Sequence, residues 1–277
     1  MYDGVSLSDD LQRATGELRL SVKRRGGESV LDGLRQAGCL KARFPRPVAP
    51  GWFDATSVNT SGGVVGGDRL DTAISVGDGA RATISAQAAE RFYRALPDSA
   101  ASRVRTSIRI GHDAAMEWLP QETILFDRCA LDRQLTVDVT PGSWFLGVEM
   151  LVFGRAAMGE RVVTARLRDL IQVRRGGDLL LHDAIRLDGE VDRVLQRIAT
   201  AGGARALATL VFVAPDAEAR IDVVRAMLSD SESGASAWNG MLVARVLAPD
   251  SASSRRLVTA VLSVLRDGRP LPRVWLC

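Results

Sequence analysis

The sequence predicts a mainly β body with two α-helices in its C-terminal third, and three observations predict it. Short stretches of period-two alternation recur through most of the chain, the pattern of half-buried strands. Turn residues punctuate them: Gly77-Asp78-Gly79 and Arg174-Arg175-Gly176-Gly177-Asp178 both read as tight reversals. Apolar residues at helical spacing appear only late.

Taken in order, residues 1–16 read as a flexible leader and 17–277 as one domain. Alternation begins at 18–22 and resumes at 72–76 and 81–85, with the last two expected to form a hairpin through Asp78-Gly79. The spacing Gly77-x-Gly79-x-x-Ala82 mimics a dinucleotide fingerprint, but the residues after it alternate with period two and open no helix. Further strands are predicted at 104–110, 115–119, 123–126, 131–139, 143–153, 162–168, 171–174, 179–185 and 241–247. The first helix is predicted over 216–228, after Pro215, through Ile221, Val224, Met227 and Leu228. A polar loop follows at 229–236, and the second helix covers 253–266 with Ser253 and Ser254 as caps. The late β-α-β-α order places both helices on one side of a β scaffold.

A chain of 277 residues buries a sizeable core. With 25% charged and 46% apolar residues it has the composition of a globular protein. The formal net charge is only +3 and the largest basic cluster is Lys23-Arg24-Arg25, which argues against a nucleic-acid partner. The N-terminal stretch MYDGVSLSDD lacks the apolar segment of a secretory signal, and no apolar run reaches membrane-spanning length. Cys39, Cys129 and Cys277 are odd in number and widely spaced, giving no disulfide framework. Cytoplasmic localisation is the expectation.

Enzyme chemistry finds no support in the residues. His112 and His182 are the two histidines, far apart, and no zinc pattern or nucleophile elbow occurs. Cys129 has no neighbouring His to activate it. Residues 59–70 stand out instead, with four glycines in a short polar stretch. Gly62 and Gly67 match the glycines of a phosphate loop, but Asp68 and Arg69 follow where Lys and a hydroxyl are needed, and a carboxylate there repels phosphate. A glycine-rich turn between strands and a contact surface for a partner both fit. Polar-aromatic patches recur at 87–94, 117–126, 154–160 and 268–275, with Trp, Arg and Met of the kind enriched in protein interfaces.

In this order the segments 59–68, 87–91, 118–122, 154–160 and 271–275 resemble the urease accessory protein UreD (UreH) family. Its pattern is Asn-Thr-x-Gly-Gly-x-x-Gly-Gly-Asp, Gln-Ala-Ala-Glu-Arg, Trp-Leu-Pro-Gln-Glu, Gly-Arg-x-x-Met-Gly-Glu and Leu-Pro-Arg-Val-Trp. The resemblance spans about residues 30 to 275. It implies a non-catalytic urease maturation factor of stacked strands in a flattened β-helix or sandwich-like body. The implied partners are the urease apoprotein, UreF and the GTPase UreG. No tightly bound cofactor is implied, only transient Ni²⁺.

The motif residues then become candidates for partner contacts or a nickel route. These are Asn59, Thr60, Gly62, Gly63, Gly66, Gly67, Asp68 and Arg69; Gln87, Glu90 and Arg91; Trp118, Gln121 and Glu122; and Arg155, Met158 and Glu160. A transfer route should hold the ion weakly, so carboxylates suit it better than a closed His/Cys cage. That selects Asp68, Glu90, Glu122 and Glu160 as transient metal ligands. The alternatives are that Asp68 or Glu90 only pairs with Arg69, Arg91 or Arg155, and that the chain is a scaffold that never touches nickel.

Overall fold

The computed structural model describes residues 13–155 and 158–276. The strands of its first half are β1 (Thr15–Arg25), β2 (Glu28–Gly38), β3 (Leu40–Arg43), β4 (Phe53–Asn59), β5 (Arg69–Val76), β6 (Arg81–Ala86), β7 (Glu90–Phe92), β8 (Ser102–Ile110), β9 (Ala115–Leu119) and β10 (Thr123–Leu125). Then come β11 (Ala130–Val139), β12 (Trp144–Phe153), β13 (Thr164–Arg175), β14 (Asp178–Glu190) and α1 (Val191–Leu195). The chain ends with β15 (Ala206–Val213), α2 (Ile221–Leu228), β16 (Gly234–Trp238), β17 (Met241–Ala248) and α3 (Ser251–Leu265).

Two sheets face each other. One has seven strands in the order β14-β13-β11-β8-β5-β1-β2, and the other runs β16-β17-β15-β12-β9-β6-β4-β3, with β10 and β7 pairing beyond β12. Through the middle the chain alternates between them, β5 to β6, β8 to β9 and β11 to β12, and neighbouring strands in each sheet are parallel. That is the winding of a flattened β-helix, closed at its margins by the antiparallel pairs β1-β2, β13-β14 and β15-β17.

The inward rows pack together as a core between the sheets. Leu20, Ile74, Ile108, Val137 and Val173 of the seven-stranded sheet meet Ala82, Ile84, Met116, Phe145 and Val211 of the other. The helices form a third layer. Val224 and Leu228 of α2 and Val258, Val261, Leu262 and Leu265 of α3 cover Leu146, Val148, Leu210, Phe212 and Leu242 on the outer face of the ten-stranded sheet.

Several expectations change. β5 and β6 do not form a hairpin. They lie in different sheets, so Gly77-Asp78-Gly79 is a corner of the coil, and Asp78 Oδ1 accepts the His112 N–H of the next corner at 2.8 Å. Alternation shows that a strand has one buried face and leaves its ladder partner open. The reversal at 174–178 is a hairpin, joining β13 and β14. The separate strands expected at 162–168 and 171–174 are one, interrupted in pattern by the inward Asp169. The loop expected at 229–236 is shorter, covering 229–233, and the edge strand β16 begins at Gly234. The cap of α3 is Asp250, whose side chain accepts the Ser253 N–H at 2.7 Å, rather than Ser253 or Ser254. The one-and-a-half-turn α1 adds a third helix. Of the expected leader, residues 1–12 lie outside the described residues, and Thr15 and Gly16 already belong to β1.

Candidate functional site

The motif segments, dispersed in sequence, are laid side by side in space. β4 ends at Asn59, and the glycine-rich segment then crosses to the other sheet, where β5 begins at Arg69. Asn59 holds its start: its side-chain Oδ1 accepts Ser61 N–H at 3.0 Å, and its Nδ2 donates to Glu90 Oε2 at 3.0 Å. Val64 N–H donates to Arg91 O, and Tyr93 N–H donates back to Val64 O, so the segment is stitched to β7. Glu90 N–H in turn donates to Glu122 O, and β7 runs parallel to β10.

Gly63 is needed where it stands. Its φ is +144°, and a Cβ there would collide with the Tyr93 ring. The Tyr93 ring packs tilted against Phe126, with centroids 4.8 Å apart, and the Arg155 guanidinium lies 4.8 Å over Phe126. The 154–160 motif is thereby joined to the glycine segment. Gly66 is equally crowded, since a Cβ would stand 2.6 Å from Ser99 Oγ.

Each candidate carboxylate has its own surroundings. Asp68 is 2% exposed, and its two oxygens accept Ala14 N–H at 2.8 Å and Val65 N–H at 2.9 Å. Glu90 is partly buried; burial pushes its pKa above the ordinary value, against the opposing hydrogen bonds from Asn59 and Arg91 N–H. Neither forms the arginine pair expected as the alternative: Asp68 binds backbone, and Glu90 binds Asn59. Glu122 accepts Arg255 Nη1 at 2.9 Å, whereas Glu160 accepts Arg155 Nε at 2.9 Å. Among the described residues, no group of three or more His, Cys, Asp or Glu side chains is placed to hold a metal ion.

The remaining candidates divide into latch and surface. Gln121 donates to Val274 O at 2.8 Å, Trp275 Nε1 donates to Leu119 O at 3.0 Å, and Arg255 lies 4.8 Å over Trp275. The 118–122 motif therefore clasps the 271–275 motif and α3 against the ten-stranded sheet. Thr60, Gly62, Arg69, Gln87, Arg91, Arg155 and Met158 are exposed, and Gly67 is partly buried.

Between the sheets, a cavity of about 300 Å³ opens where these segments meet. Its lining includes Asn59, Glu90, Trp118 and Glu149 from the ten-stranded sheet and Thr106 and Arg133 from the seven-stranded one. Arg133 is clamped between carboxylates of both sheets. It donates to Asp169 through Nε at 2.8 Å and Nη2 at 2.6 Å, and through Nη1 to Glu149 at 2.6 Å and Thr123 at 2.8 Å. Trp118 Nε1 donates to the other oxygen of Glu149 at 2.8 Å. Burial raises the pKa of Glu149, against the opposing pull of Arg133.

This triad escaped the sequence-based reading, yet a signal for it exists. Leu131, Leu135, Val137 and Val139 share the buried face of β11, and period two puts Arg133 on that face among them. Asp169 left its mark as the break in the alternation of β13. A second buried pair, Glu117 with Arg266 at 2.9 Å, is 0% exposed at both residues and ties the end of α3 to β9.

A profile of the UreD urease accessory proteins matches residues 14–276. Urease accessory protein UreD of Azorhizobium caulinodans is 45% identical over 266 residues, which cover 95% of this chain and 97% of that protein. UreD of Roseobacter denitrificans is 45% identical over 266 residues, covering 96% of each chain. UreD of Rhizobium leguminosarum bv. trifolii is 43% identical over 264 residues, covering 95% and 96%. Similarity over this length, together with the five ordered motifs, means that the chain belongs to the UreD urease accessory protein family.

Proposed function

We propose that the chain is a urease maturation factor that binds the urease apoprotein, works with UreF and UreG, and passes nickel through the inter-sheet cavity toward the apoenzyme. The observation that carries this reading is the convergence of three motifs on one cavity between the sheets, with Glu90, Asn59 and Gln121 as polar groups on a largely apolar wall and Glu149 on that wall already held by Arg133. A hard-to-soft borderline ion such as Ni²⁺ is held weakly by a lone carboxylate, and weak holding is what a relay needs. The role is non-catalytic and the nickel is cargo, with no resident cofactor. The chain acts in the cytoplasm, where the urease apoprotein would meet it; no described helix is long and apolar enough to cross a membrane.

A scaffold that never touches nickel is the second reading. Asp68, Glu122 and Glu160 favour it, because each is engaged in holding a loop or helix in place. Glu90 separates the two. Cells carrying a full urease operon are compared with this chain, without it, and with Glu90→Gln, under limiting nickel. The proposal expects apo-urease without the chain, rescue by the wild type, and soluble Glu90→Gln protein that assembles with its partners but loads less nickel. Equal loading by Glu90→Gln supports the scaffold, and equal loading without the chain overturns the maturation role.

A further inference from the structure

The face of the seven-stranded sheet that points away from the sandwich carries a row of arginines in register. Arg69 on β5 stands beside Arg103 on β8, Arg103 beside Asp132 on β11, Asp132 beside Arg168 on β13, and Arg168 beside Arg186 on β14. Leu70, Leu131 and Leu167 alternate with members of this row and are buried, and all four arginines are exposed. With neighbouring strands about 4.8 Å apart, the row spans roughly 19 Å.

Among the described residues, little neutralises this row. Asp132 is engaged by Arg105 at 2.5 Å and is reached by Arg168 at 3.9 Å. Among the described residues, no ion pair engages Arg69, Arg103 or Arg186. A basin of about 740 Å³ adjoins the row, with Arg19, Arg69, Arg103 and Arg105 on its walls and the small residues Ala73 and Ser107 between them. Of its two carboxylates, Glu17 is taken by Arg19 at 2.5 Å and Arg35 at 2.9 Å, leaving Asp71. Like charges on adjacent strands repel each other, and a polyanion laid across them removes that penalty.

We propose that this face docks an acidic segment of a partner protein, whose carboxylates lie along the arginine row. Arg suits the task because its planar fork takes a carboxylate with two parallel hydrogen bonds. Nucleic acid fits less well. Asp71, Asp132 and Asp138 interrupt a phosphate track, and no aromatic side chain stands in the row to stack a base. The site lies on the outer face of the seven-stranded sheet, and Arg69 is the one motif residue it shares with the candidates named above.

The test is fluorescence anisotropy with a labelled polyglutamate peptide, a polyglutamine peptide of equal length and a single-stranded RNA. The intact chain should bind polyglutamate at least about tenfold more tightly than either other probe, and binding should weaken as ionic strength rises past about 0.15 M. Arg69→Glu/Arg103→Glu should weaken it by about tenfold or more, as should Arg168→Glu/Arg186→Glu. Arg46→Glu/Arg256→Glu makes the same change of net charge on the side of the ten-stranded sheet and should leave binding within about twofold. Unchanged circular-dichroism melting checks that each variant is folded. Three outcomes overturn the proposal: polyglutamate binding no better than polyglutamine, equal losses in all three double variants, or tighter binding of RNA.

Discussion

Both oxygens of Asp68 accept partly buried backbone N–H groups, from Ala14 and Val65, so its first task is to pin the glycine segment to the start of β1. Asp68→Ala strands those donors and should lower stability by about 1–3 kcal/mol, measured by urea denaturation. Asp68→Asn, which keeps one acceptor oxygen, should recover part of the loss. An unchanged urea midpoint with lost urease activation would instead make Asp68 a route residue. Glu90 differs because burial raises its pKa. A carboxylate with a raised folded pKa costs stability that sets in as pH rises from its ordinary value through the shifted one. Glu90→Gln should therefore melt at or above the wild-type temperature at neutral pH, and the difference should vanish below the ordinary carboxylate range. A lower melting temperature at pH 7 would show that the charge stabilises the fold.

At the scale of elements, α3 depends on its first turn and its last. Asp250 caps the start, and the hydrogen bond from Ser253 N–H, the largest cause, holds its pKa below the ordinary value. The sign is opposite to that of Glu90: the stabilisation is present above the unfolded pKa and is lost as pH falls through the folded one. Asp250→Ala should lose about 1 kcal/mol at neutral pH, and its deficit relative to the wild type should close on acidification. A deficit that persists in acid would assign the effect to something other than the ionised cap. The far end is held by Arg266, which reaches Glu117 from inside the third layer. Helical periodicity located this element in the sequence, because one apolar stripe faces a single sheet. Its cap was misplaced by three residues, since Asp, Ser and Ser all stand near the start and only backbone geometry selects among them.

Across the whole molecule, Arg133 joins the two sheets by binding Asp169 on its own sheet and Glu149 on the other. Arg133→Met leaves two buried carboxylates uncompensated and should lower stability by about 3–5 kcal/mol in chemical denaturation. Combining it with Glu149→Gln and Asp169→Asn should restore much of the loss, and a triple variant no better than the single one would deny the coupling. By itself the sequence determined many of the strands with one buried face, though not β2, β3, β4, β7, β15 or β16, together with where the late helices lie, the β13-β14 reversal and the family to which the five motifs belong. These are local properties: period, turn chemistry and residue order are complete within a few positions. The tertiary structure alone decided that β5 and β6 belong to opposite sheets, that Arg133 meets Glu149 across the core, and that motifs far apart in the chain border one cavity. Those outcomes depend on which strands share a ladder, and that choice is made by the packing of distant apolar rows, which no single segment encodes.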